Sequence, residues 1–326
     1  MAVRTEVLGK GGVVKAIIRL PSFTILMVLA FMFVVMMIIS PPFRSISNFL
    51  SVVRLFVPIA VAGVGVMMVI ITGGIDLSLG SIYGFAGVIT ALSITRLGIP
   101  SAMGVFAGLA VSLAVGLSNG LLIVVVHLPP FIATLATMSI VRGLCYITTR
   151  GYPVSGISKD FFFLGQGYIL NVPTQIWVMI VIAILVAVFM SETVTGRRIY
   201  ALGGNIEATR ISGVNTRALL VLVYTLCGLL AGLAGIITAS KLGIGQPTSG
   251  SGFEMDAIAA TVIGGTSLSG GFGTVLGTVI GAAIIGVLRN ALVLLSVNAY
   301  WQQLIIGFVI LFAVATDMAS KNRTKK

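Results

Sequence analysis

Charged side chains are scarce in this sequence. They make up 9% of its 326 residues, where a soluble domain carries roughly 25%. Histidine occurs once, as His127, and cysteine twice, as Cys145 and Cys227. One histidine cannot build a metal site, and the two cysteines have neither metal-ligand spacing nor the pattern of a disulfide framework. There is no G-x-x-x-x-G-K-[ST] phosphate loop, so the chain has no ATP site of that kind. Any His, Cys and carboxylate set at ligand spacing is also missing. No catalytic residue, metal site or bound cofactor is assigned.

What fills the sequence is apolar: 58% of residues are hydrophobic. A core could be built with far less, so the bilayer is the expected solvent. A spanning helix needs ~20 apolar residues. On that scale about ten spans are expected, near 22–40, 52–72, 79–96, 103–126, 131–149, 174–191, 218–240, 255–269, 273–295 and 301–317. The first has no A-x-A site after it and reads as an uncleaved span. The fold class is thus an all-α integral membrane protein with one transmembrane domain, 22–317.

The formal charge of +12 is concentrated beside the spans. Arg4, Lys10, Lys15 and Arg19 lie in 1–21. Arg197, Arg198, Arg210 and Arg217 lie in 191–217, and Lys321, Arg323, Lys325 and Lys326 lie in 318–326. Such clusters mark cytoplasmic segments, and an even number of spans puts all three on one side. Both termini and the loop 191–217 are expected inside. No basic and aromatic residues interleave on a polar surface, so nucleic acid is not an expected partner.

Two spans carry breaks, near 72–80 and 264–273. The first contains Gly73, Gly74, Asp76 and Ser78, and the second runs Gly264-Gly265-Thr266-Ser267-Leu268-Ser269-Gly270-Gly271. Irregular backbone at membrane depth survives only where protein or water satisfies it. Paired interruptions point to functional elements of a transporter, although tight turns at the cytoplasmic surface would read the same. Asp76 can cap the helix that follows it, and Glu254 and Asp256 can complement a helix N-terminus. Arg142, within the fifth span, needs a partner, water or a place near the surface. Gly273, Gly277 and Gly281 repeat every four residues, a stripe for close helix packing. Gly116 with Gly120, and Gly228 with Gly232, have the same spacing. The stretch 150–173 is the longest outward loop, either a docking surface or an ordinary solvated loop.

The segment 191–217 is the most informative polar stretch. Asn205 can cap a short helix from Ile206 to Ser212, which Gly213 ends. Such a knob could seat in a cleft of a cytosolic partner, or lie on the surface without one. Glu207-Ala208-Thr209, three residues and then Gly213 resembles the EAA-x3-G coupling signature of ABC importer permeases, with Thr209 in place of the second alanine. Ile70 to Ser81 (IITGGIDLSLGS), Tyr200 to Asn205 (YALGGN), Gly245 to Thr248 with Asp256 to Ala260, and Gly264 to Leu268 follow in the order of the ribose-type permeases.

The chain is identified by resemblance as a member of that monosaccharide permease family, over nearly its whole length. The resemblance implies a permease of about ten helices in the cell's inner membrane, normally a homodimer. It implies a cytosolic ABC ATPase carrying ATP and Mg, and an extracytoplasmic sugar-binding protein. It implies that Gly204, Asn205, Glu207, Ala208, Arg210 and Gly213 contact the ATPase, and that a monosaccharide, ribose first among them, crosses by alternating access. Sugars are bound by hydroxyl, amide and aromatic groups, so Phe253, Asn298, Tyr300, Trp301 and Gln302 are candidates for the pathway, with interfacial anchoring as the other reading of Tyr300 and Trp301. An ion-coupled transporter of small polar solutes is the alternative, though no spaced array of acids forms a proton wire.

Overall fold

The computed structural model describes residues 21–324. Arg4, Lys10, Lys15, Arg19, Lys325 and Lys326, expected inside, lie outside the described residues. In chain order the helices are α1 Pro21–Ile39, α2 Ile46–Ile71, α3 Leu79–Arg96, α4 Ser101–Val124, α5 Pro130–Thr149, α6 Phe163–Gln166, α7 Thr174–Glu192, α8 Val194–Gly204, α9 Ile206–Ile211, α10 Thr216–Leu242, α11 Phe253–Ile263, α12 Val275–Leu294 and α13 Ala299–Thr324. Strands Tyr168–Ile169 and Val172–Pro173 form a two-stranded antiparallel hairpin.

Among the described residues seven helices, α2, α3, α4, α5, α7, α10 and α12, are long and apolar enough to cross a membrane. Local chemistry sets their ends. The Ser45 hydroxyl accepts from the Asn48 amide to open α2, and Thr274 does the same for Gly277 in α12. Gly243, with φ at +70°, closes α10.

Burial separates centre from rim. Of the apolar window in α2, 83% is buried inside the protein, against 22% in α7. The centre is formed by α2, α3, α10 and α12, and α4, α5 and α7 present apolar faces outward, as lipid-facing helices do. Small residues let backbones close up. A methyl at Gly116 of α4 would come 2.5 Å from the Tyr224 carbonyl oxygen of α10.

Three sequence expectations change. First, 191–217 is not a loop with one short helix, because α8 and α9 follow each other within it. The cause is a second cap: the Thr193 side chain accepts from the Gly196 amide and opens α8. Second, 150–173 is folded. The Ser240 hydroxyl donates to the Phe161 carbonyl and accepts from the Gly165 amide at 2.8 Å, tying this segment to α10. Arg54 also reaches the Tyr168 hydroxyl. Third, the helix expected near 255–269 has only 11 residues, Phe253–Ile263. It rises about 16 Å, roughly half the hydrocarbon core. Gly250 and Gly252 (both φ +78°) precede it and Gly265 (φ +85°) follows, so helical conformation is interrupted on both sides.

An irregular run of turns leads into α11. Gly245 lies against Ala91, and Gly250 against the Gly80 carbonyl. The run is therefore laid antiparallel along α3. Arg142 of α5 fastens it, donating to the carbonyls of Pro247 (2.7 Å), Ser249 (2.7 Å) and Gly80 (3.1 Å). The arginine that needed a partner finds three backbone acceptors, two of which the irregular run leaves open.

Candidate functional site

Asn205 ends α8 and starts α9. Its backbone is extended (φ −161°), and its side-chain oxygen accepts from the Ala208 amide at 2.9 Å. Glu207 lies in the first turn and Arg210 in the last, each complementing the nearer end of the dipole. The two pair at 2.9 Å but are exposed, so the pair adds little stability. Gly213, at φ +80°, turns the chain out of α9 and its amide donates to the Arg210 carbonyl. Gly204, Asn205, Glu207, Ala208, Arg210 and Gly213 are all exposed. Thr209 alone in this stretch is buried, and its hydroxyl donates to the Asn205 carbonyl at 2.8 Å. A polar residue is accepted at a position facing the interior because its one donor is satisfied. Ile211 is 81% exposed at the tip, an apolar side chain offered to solvent or a partner.

α8 joins this knob to the bundle. Ile199 and Leu202 are fully or nearly buried, and the Tyr200 hydroxyl donates to the Gly273 carbonyl at 2.8 Å. Burial raises the pKa of that hydroxyl above its usual value, so it remains a donor. Gly203 sits where both breaks meet. A methyl there would come 1.7 Å from the Ile71 carbonyl oxygen and 2.6 Å from the Gly271 amide. Gly271 itself donates to Ile71 at 2.9 Å. The end of α2 and the turn before α12 are thus hydrogen-bonded to each other and covered by α8.

The first break descends from Gly73 and Gly74 into a buried polar cluster. Asp76 is fully buried, and one carboxylate oxygen accepts from the Ser78 amide (2.9 Å) and hydroxyl (2.6 Å). The amide it caps belongs to the residue just before α3. Asn119 of α4 donates to the Ser78 hydroxyl oxygen at 2.8 Å. The second Asp76 oxygen, the Asn119 oxygen and the Tyr224 hydroxyl are buried without hydrogen-bond partners.

The glycine stripe divides. Gly277 and Gly281 lie where α12 backs onto α11: methyls there would come 2.1 Å from the Gly264 carbonyl and 1.9 Å from the Ala260 carbonyl. Gly273 precedes α12 and contacts Thr266 and Ile71 instead. The aromatic and amide candidates also scatter. Phe253 stacks on Tyr83 with centroids 4.3 Å apart. Asn298 caps the amide of Tyr300 at 3.0 Å. Tyr300 and Trp301 point outward, 85% and 61% exposed. Gln302 turns toward α11 and α12, where Asp256 pairs with Arg289 at 2.6 Å. Sequence reasoning overlooked Arg289, and also Asn48 and Asn290, which exchange hydrogen bonds at 3.1 and 2.9 Å. Their signal was available, since ionisable and amide side chains inside apolar spans are costly unless paired.

The family model described as branched-chain amino acid transport system / permease component matches residues 48–314. The ribose import permease protein RbsC of Escherichia coli strain K12 is 43% identical over 283 residues, which cover 86% of this chain and 88% of the relative. The protein of the same name from Haemophilus influenzae is 40% identical over 307 residues, covering 93% and 94%. The L-arabinose ABC transporter permease protein AraH of Azospirillum brasilense is 36% identical over 319 residues, covering 97% and 92%. No solved structure matches the chain.

Proposed function

Because the chain belongs to the permease component family of branched-chain amino acid transport systems, we propose that it is the membrane-spanning subunit of an ABC importer carrying a monosaccharide, ribose first. It is a multi-pass inner-membrane protein. In this reading the irregular run beside α3 and the half-helix α11 make one crossing, for about ten crossings in all, with both termini, α8 and α9 in the cytoplasm. Residues 22–317 form one transmembrane domain. Two copies pair, an extracytoplasmic binding protein delivers the sugar, and a separate ATPase holds ATP and Mg. The chain itself transports and does not hydrolyse ATP.

The observation that carries this reading is the contact of Gly203 with both Ile71 and Gly271. A push on the exposed face of α9 passes through Asn205 into α8, and from there to both helix breaks at once. A rigid, capped helix transmits displacement where a loop would absorb it. Gly204, Asn205, Glu207, Ala208, Arg210 and Gly213 form the face that meets the ATPase. The break residues then re-aim α3 and α12 while sugar passes between the two copies.

Ala208→Cys tests the contact, since both native cysteines are buried. In the assembled complex a short thiol-to-amine cross-linker is expected to join this position to a lysine of the ATPase subunit. Assembly without any cross-link from 208 would overturn the assignment of this face.

A further inference from the structure

Helices α11, α12 and α13 leave a cleft of about 580 Å³ between them, lined by Ser251, Met255, Asp256, Arg289, Gln302 and Gln303 among others. That volume falls within the roughly 300–1,000 Å³ of small-molecule sites. It lies about 21 Å along α12 from Val275, at the end of the bundle away from α8 and α9. Asp256 is 7% exposed, and one Arg289 nitrogen donates to both its oxygens, at 2.8 and 2.6 Å.

The polarity is local. A neighbouring groove of about 470 Å³ between α1, α12 and α13 is lined by Val28, Met32, Ile284, Leu288, Ile305 and other apolar residues. Ordinary lipid contact needs nothing else. An ion pair among membrane helices is expensive to desolvate and is a weak source of stability. Clamping α11 to α12 would need the pair alone. It would not need two glutamines gathered on the same cleft.

Their free valences point to a ligand. Gln302 spends its amide nitrogen on the Val297 carbonyl at 2.8 Å, which leaves its oxygen as an acceptor among the described residues. Gln303, an exposed residue, makes no hydrogen bond among the described residues. The Arg289 Nε is buried without a partner. Met255 and Ile306 supply an apolar side. Donors, acceptors and an apolar wall around an open space match a polyhydroxylated ring, which offers hydroxyls at its rim and C–H groups on its face.

We propose that this cleft is a sugar subsite on the outer half of the pathway, holding a monosaccharide through Asp256, Arg289, Gln302 and Gln303. The proposal rests on the reading of the chain as a sugar permease. The site takes sugar after release from the binding protein, and moderate affinity serves passage onward.

The test uses the full complex in proteoliposomes with labelled D-ribose. Gln303→Ala removes one hydrogen-bonding group that has no structural partner, so folding is preserved. Sugar delivered per ATP hydrolysed is expected to fall about fivefold, the value of one hydrogen bond, while hydrolysis stimulated by the binding protein stays at the wild-type rate. In a second arm Gln303→Cys is labelled with a membrane-impermeant maleimide, and saturating ribose is expected to slow labelling severalfold. Wild-type uptake with unchanged sugar per ATP in the alanine variant, and labelling indifferent to ribose, would overturn the subsite alone. Absence of ATP-dependent ribose uptake by the wild type would remove the sugar-permease reading and the subsite with it.

Discussion

Gly203 packs its Cα against the carbonyl of Ile71, so closely that a single methyl group would sit 1.7 Å from the oxygen. Ile71 ends α2, and its carbonyl already accepts from Gly271 at 2.9 Å. Three glycine-rich segments far apart in sequence therefore meet at one carbonyl.

Gly203→Ala should disturb all three. The added methyl meets backbone, which cannot rotate away, and overpacking of this kind costs about 1–3 kcal/mol. The purified variant is expected to melt several degrees below wild type in detergent, and to transport less sugar per ATP even where it assembles. Gly204→Ala is the control for stability alone, since nothing lies near a methyl there.

Glu207→Ala separates coupling from folding. The Glu207–Arg210 pair is exposed and worth at most about 1 kcal/mol. Insertion and melting temperature are expected to stay near wild type, while ATP hydrolysis proceeds without transport. Normal uptake by this variant would remove Glu207 from the ATPase contact.

The Asn48–Asn290 pair joins α2 to α12 through two reciprocal hydrogen bonds. Asn290→Ala leaves the Asn48 amide with no side-chain partner and is expected to cost about 1–3 kcal/mol. Replacing both by leucine should recover part of the loss, since apolar partners leave nothing unpaired. A double-mutant cycle on thermal unfolding measures the coupling.

Asp76→Asn keeps an oxygen to accept from Ser78, whereas Asp76→Ala removes it. The alanine variant is expected to lose yield and stability, and the asparagine variant to keep both. Transport affinity should change less than assembly in each. Full assembly of the alanine variant with weakened sugar binding would show that Asp76 serves the sugar and not the start of α3.

The sequence made some of this legible. The cap at Asn205, the glycine stop at Gly213 and the break around Gly73 and Gly74 are local signals, written in residues a few positions apart. Apolar run length located most helices for the same reason. The half-helix α11 was not legible, because Met255 to Leu268 is apolar enough to pass for a span. What shortens it is glycine with positive φ on both sides, together with carbonyls that Arg142 can reach only in three dimensions. The Asp256–Arg289 pair escaped because its members are 33 positions apart. Asp256 alone reads as a helix-end charge, and nothing local ties it to Arg289.

A sugar permease of this kind is driven from outside itself, through α9. Its most direct test is uptake of labelled D-ribose into proteoliposomes holding the wild-type permease with its ATPase and binding protein. Uptake is expected only with all three proteins and ATP present, and is expected to be lost in Glu207→Ala while hydrolysis continues. Uptake driven by an ion gradient in vesicles that hold this chain alone, abolished by a protonophore, would contradict the account.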